Sequence, residues 1–134
     1  MKVRHVLAAC AAAVLFSACD LSSPSKNTIA PISGTLQPGQ PNSGNAHQFK
    51  ASKTGELIVT LTSVVPSPSA GLLGVALGQF ANSSCALLPG YLSSGVVNRA
   101  IQFYQIQKGD YCIFVYDPGV ITVQTTYTGN ISHP

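Results

Sequence analysis

Apolar and polar positions divide the chain into three stretches of different rhythm. Residues 6–18 form an uncharged run of 13 residues rich in Ala, Val and Leu. Residues 21–31 are polar and broken by Pro24 and Pro31, with Ser22, Ser23, Ser25 and Asn27 between. From Ile32 onward the apolar positions recur with period two, which is the spacing of a half-buried strand. Residues 55–62 show it best: Leu57, Val59 and Leu61 fall on one face, and Glu56, Thr60 and Thr62 on the other. Ile58 shares the outer side and needs a neighbour to cover it. Residues 111–116 form a second strand, with Tyr111, Ile113 and Val115 as its core face. Further strands are expected at 46–51, 72–80, 97–106 and 121–131, where Val, Ile, Thr, Tyr and Phe cluster between Gly, Pro, Ser and Asn. No stretch after residue 20 has the three-to-four spacing of an amphipathic helix. The expected fold is all-β, a small antiparallel β-sandwich of jelly-roll-like form, over residues 32–134.

The first stretch is built for export. Lys2, Arg4 and His5 precede the apolar run, and the small residues Ser17 and Ala18 close it. A charged start, a short apolar core and a small-residue end make a secretory signal peptide, assigned to residues 1–18. Thirteen residues are too few for a spanning helix, which takes about 20. Cys19 follows at once. Leu15-Phe16-Ser17-Ala18-Cys19 resembles the lipobox of bacterial lipoproteins, with Phe16 where the family prefers Leu. Leu7-Ala8-Ala9-Cys10 matches the pattern locally but leaves too little chain ahead of it for a signal. The resemblance implies a thiol acylated at Cys19, cleavage before it, and attachment to a bacterial membrane through the lipid. The other reading is ordinary cleavage after Ala18 and release. Residues 19–31 are then a flexible tether, too polar to bury a core.

Two cysteines lie inside the domain: Cys85, expected in a loop after a strand, and Cys112, within a strand. In an exported chain such a pair forms a disulfide. Neither sits in a Cys-x-x-Cys motif or beside a histidine, so the spacing offers no redox or metal site.

At this point the domain resembles a family. Phe49, Ser52, Gly55, Leu57 and Val59-Thr60-Leu61-Thr62 look like the opening of a bacterial pre-peptidase C-terminal type domain. Gly109-Asp110-Tyr111-Cys112-Ile113-Phe114-Val115-Tyr116 looks like its Gly-x-Tyr-x-x-x-Val strand, and residues 126–134 resemble its closing strand. The resemblance implies a compact accessory module for binding, solubility or secretion. It supplies no catalytic residues.

Charge and chemistry narrow the classes further. The full chain carries seven Lys and Arg against four Asp and Glu. Without Lys2 and Arg4 five cations face four acids, a net +1 that makes no patch for nucleic acid. No Gly-rich phosphate loop, nucleophile elbow or Asp-x-Asp pattern is present, so no catalytic residue, cofactor or metal is assigned. Asp110 and Asp117 flank one strand about 23 Å apart, too far to act as an acid/base pair. Each is instead expected in a turn. His47, Ser84 and Asp117 would have to meet for hydrolysis. His133, next to the C-terminus, is expected to pack loosely. The neutral surface suits an exported module that packs against envelope polymers. Tyr104, Phe114 and Tyr116 fall opposite the expected core face and offer a ligand platform for a sugar or peptide. The expected function is a non-enzymatic, membrane-anchored lipoprotein that binds an envelope polysaccharide or protein. The alternative is a secreted or surface-displayed carbohydrate- or peptide-binding module.

Overall fold

The computed structural model describes residues 26–134. Eight strands follow one another: β1 (Thr28–Leu36), β2 (Gly44–Ala51), β3 (Gly55–Val65), β4 (Leu73–Ala81), β5 (Ser84–Gly95), β6 (Ala100–Ile106), β7 (Gly109–Tyr116) and β8 (Thr125–His133). They form two antiparallel sheets, ordered β1-β8-β3-β6 and β2-β7-β4-β5. The pairings β1–β8, β2–β7, β3–β6 and β4–β5 nest inside one another. The chain is therefore one long doubled-back ribbon, rolled so that β8 meets β3 and β7 meets β4. That is the topology of an eight-stranded jelly roll.

The fold of the ribbon lies at Asn82 and Ser83. Both have positive φ, 51° and 60°, and they join Ala81 to its partner Ser84. Two left-handed residues in a two-residue loop make the type I′ hairpin turn, whose twist matches that of the strands.

Alternation works as expected in β3, where Leu57, Val59 and Leu61 are fully buried and Ile58 is half-covered. Ile113 and Val115 of β7 join them from the other sheet, with Leu73, Val75 and Leu77 of β4, while Tyr127 and Ile131 of β8 add to the core from the same sheet as β3. Tyr111 is only half-buried and stacks on Phe49 at 5.8 Å. The β4 strand is buried on both faces from Leu73 to Gly78, so its apolar run replaces a clean alternation.

Several expected boundaries move. The domain begins at Thr28, not Ile32, because β1 pairs along its whole length with β8. Pro31 is tolerated there because β1 is an edge strand, where a missing N–H costs no ladder bond. The last strand begins at Thr125 rather than 121: Asp117 is buried, and its Oδ1 accepts the backbone N–H groups of Gly119, Val120 and Ile121 at 2.8, 2.7 and 3.1 Å. That anchor holds the chain in a turn, as expected for Asp117. Asp110 instead lies within β7, opposite Lys50. Cys85 sits in strand β5 and not in a loop. His133 is tied into β8 opposite Thr28, with its ring 5.1 Å from that of Phe49, and is not loose.

Antiparallel alternation sorts the connections between two ends of the sandwich. The chain enters at Thr28 and leaves at His133 on one end, which also carries the β2–β3, β4–β5 and β6–β7 turns. The opposite, distal end carries the β1–β2, β3–β4, β5–β6 and β7–β8 loops. Asn42 N–H donates to Asp117 O at 2.8 Å there, joining the first and last of them. Among the described residues no helix is long and apolar enough to cross a membrane.

Candidate functional site

Small residues on the outer face of β4 organise one surface. Gly74, Ala76 and Gly78 stand opposite Tyr116, Phe114 and Cys112 of β7. At Gly78 the expected Cys85–Cys112 disulfide passes over the strand. A Cβ on Gly78 would lie 2.8 and 2.9 Å from the two sulfurs and 2.8 Å from Ala86 O, so only glycine leaves room for the bridge. Two strands flanking a third stand about 9.6 Å apart in a flat sheet. Here the cysteine Cα atoms are 5.9 Å apart, so β5 curls over β4. A break of register in β5 between Leu87 and Leu92 accompanies the curl.

At Gly74 the cover is the Tyr116 ring. A Cβ there would meet Cζ, Cε1 and Cε2 of that ring at nearly equal distances, so the ring lies face down on the sheet. Phe114 is close to parallel with it, 15° between planes and 5.8 Å between centroids. The two rings line a shallow depression of about 210 Å³ with Asn42, Leu87 and Leu92. Leu87 and Leu92 are 44% and 61% exposed.

Tyr104 does not join them. It belongs to β6 of the other sheet, where a one-residue bulge with Gln105 at φ 54° thrusts it outward to 70% exposure. The expected three-ring platform is thus a two-ring platform, because the sandwich places β6 and β7 in different sheets. Tyr104 instead borders the open side of the sandwich between the edge strands β5 and β6. Its hydroxyl donates to Gln102 Oε1 at 2.9 Å. A distal cleft of about 620 Å³ runs there past Leu72, Ser93, Val96, Arg99 and Gln102. A second hollow of about 340 Å³ adds Tyr91, whose ring lies 6.2 Å from that of Phe103.

The groups needed for hydrolysis do not assemble. His47 Nε2 lies 2.6 Å from the Tyr127 hydroxyl, across the gap between the sheets. Burial lowers the His47 pKa and pushes that of Tyr127 up to about 12, partly offset by a hydrogen bond from Asn45. The imidazole and the phenol share one hydrogen bond, whose direction is set by the tautomer of His47. Asn45 Nδ2 also donates to Thr35 O at 3.1 Å, so the cluster ties β1, β2 and β8 together. Asp117 is committed to its loop, and Ser84 opens β5 at the β4–β5 turn. Among the described residues no group of three or more His, Cys, Asp or Glu is placed to hold a metal ion. The His47–Tyr127 pair was beyond sequence reasoning, since 80 residues separate the two. Cys19, the expected lipidation site, lies outside the described residues, as do the expected signal and the first part of the expected tether.

No protein-family model matches this chain, and no curated protein matches it. Among solved structures it is similar to the Yersinia pseudotuberculosis-derived mitogen, with a TM-score of 0.51 and 11% identity. The match covers 81% of this chain and 87% of that one. At that identity the likeness concerns the fold alone.

Proposed function

We propose that this chain is an exported, lipid-anchored, non-enzymatic β-sandwich that serves as a binding or structural module at a bacterial cell envelope. The disulfide carries the reading. Its two sulfurs close over a glycine that leaves space for them, and such bonds persist in oxidising compartments outside the cytosol. Residues 1–19 have the composition of a lipoprotein signal ending in an acylatable cysteine. The resemblance to pre-peptidase C-terminal type domains points the same way, toward an accessory module. The Yersinia neighbour is a mitogen by its title, and no partner passes from it to this chain at such distance. A secreted or surface-displayed carbohydrate- or peptide-binding role is the second reading, favoured by the exposed aromatic surfaces at the distal end.

Fractionation of the producing cells with mass spectrometry of the mature N-terminus tests the anchor. Acylated Cys19 as first residue, and release of Cys19→Ala from the membrane fraction, are expected. Unchanged membrane association of Cys19→Ala counts against the anchor. Full-length precursor in cytosol with reduced thiols ends the export reading as well.

A further inference from the structure

We propose that the Phe114–Tyr116 surface is a binding site for a neutral oligosaccharide. The inference rests on the reading of the chain as a binding module, and it assigns that module a site and a ligand class. Phe114 and Tyr116 are consecutive outward residues of β7, and a side chain there would ordinarily stand up from the sheet. These two lie down instead. The glycine at position 74 lets the Tyr116 ring descend onto the backbone, and Phe114 follows within 15° of the same plane. The result is a near-parallel, displaced pair of stacked rings, 5.8 Å between centroids and both half-exposed.

A pyranose ring has a complementary form. Its C–H groups make a flat apolar face that stacks on an aromatic ring, while its hydroxyls project from the rim. Two rings side by side offer room for successive sugar units, so a chain of sugars fits better than a single one. The lining decides the charge of the ligand. Asn42, Leu87, Leu92, Phe114 and Tyr116 carry none, so nothing there rewards a phosphate, a carboxylate or an ammonium group. Asn42 brings an amide that both donates and accepts, and Tyr116 a hydroxyl that does the same, which matches the dual character of a sugar hydroxyl. Leu92 and Leu87 form a wall on the β5 side, where the curl of β5 over β4 raises them. A peptide anchored by an apolar side chain would need a pit, and the depression is shallow. The site also sits at the correct end. Asn42, Gly74 and Tyr116 belong to the distal end, opposite the strand end at which the chain enters from its N-terminal segment. A tether attached there leaves the platform facing away from the membrane.

Nuclear magnetic resonance titration of the full chain, purified from whichever cell fraction holds it, tests the site. The probes are cellotetraose and tetra-N-acetylchitotetraose. Shifts confined to Phe114, Tyr116, Asn42, Leu87 and Leu92 with at least one probe are expected. Phe114→Ala should weaken binding about tenfold, roughly the worth of one ring contact. Leu92→Asp changes an exposed wall residue without touching the core and should also weaken it. Tyr116→Phe, which keeps the ring but loses the hydroxyl, should weaken binding less than Phe114→Ala does, and Tyr104→Ala should bind as the parent does. No shift with either sugar overturns the proposal. So do shifts centred on Tyr91 and Tyr104, which would move the site to the β5–β6 cleft. Broadening of the Phe114 and Tyr116 signals with protein concentration alone also overturns it, since a second copy would then cover the face. Failure of the anchor reading shows separately, in the fractionation of Cys19→Ala.

Discussion

Removing the disulfide and filling the space beneath it should be coupled perturbations. Replacing both Cys85 and Cys112 by Ala frees a loop defined by a separation of 27 residues. The chain-entropy relation gives about 3.5 kcal/mol for a loop of that size. Domains of this class have about 5–15 kcal/mol in all, so the loss is large. Urea unfolding followed by circular dichroism reads it directly. With a slope of about 1.5 kcal/mol per molar, the midpoint should fall by about 2 M. Gly78→Ala in the oxidised parent forces a methyl group against two sulfurs and a carbonyl oxygen, all closer than 3.0 Å. Overpacking of that kind costs about 1–3 kcal/mol or more. In the doubly substituted background the sulfurs are gone and only the Ala86 carbonyl remains in the way. Gly78→Ala should therefore cost less there, with a coupling energy above about 1 kcal/mol. Additivity within about 0.5 kcal/mol would refute the argument that Gly78 is required by the bridge. A midpoint shift under about 0.5 M for the cysteine pair would refute the claim that the bridge is a principal staple.

The His47–Tyr127 pair predicts a stability optimum bounded on both sides. Tyr127 has a raised folded pKa of about 12 against 10.0, so its contribution is complete below pH 10 and is lost as pH climbs toward 12. A rise from 10.0 to about 12 is worth at most about 3 kcal/mol, less whatever solvent screening removes. Urea midpoints across pH 9–12 should fall in the parent and stay flatter in Tyr127→Phe, which begins about 1 kcal/mol lower for want of the hydrogen bond to His47. His47 has a depressed pKa, so its contribution is present above pH 6.5 and is lost as pH falls below that value; His47→Gln should reduce the acid-side slope. Asp117→Ala should cost about 3 kcal/mol by stranding three backbone donors, and Asp117→Asn, which keeps one acceptor oxygen, should recover most of it in the same urea assay.

Strands with one wet face were legible, and strands that break that pattern were not. Leu57, Val59 and Leu61 announce β3 because nothing but a sheet puts every second residue inside. β1 was hidden by Pro31 and by its edge position, where Ile32 and Leu36 alone are buried and the rest can be polar. β5 was hidden by Leu88-Pro89-Gly90-Tyr91, which reads as a loop and is the register break that lets β5 curl. The disulfide was legible from the cysteine count, since only Cys85 and Cys112 lie among the described residues. The glycine beneath it was not, because its role depends on β4 lying between β5 and β7. The same holds for the aromatic surface. Alternation puts Phe114 and Tyr116 on the outer side of β7 correctly, and it puts Tyr104 outside as well. Only the long-range pairing of β7 with β4 shows that two of the three rings come to rest together.

The nested pairing also decides when the molecule can be finished. β8 follows the other seven strands along the chain, and it lies between β1 and β3. Until it arrives, the first strand has no neighbour in its own layer, and β3 has one raw flank. A nascent or clipped chain ending before Thr125 would present two open backbone rims at once, the kind of surface that recruits other copies. The sandwich therefore closes only once the nine residues of β8 are in place.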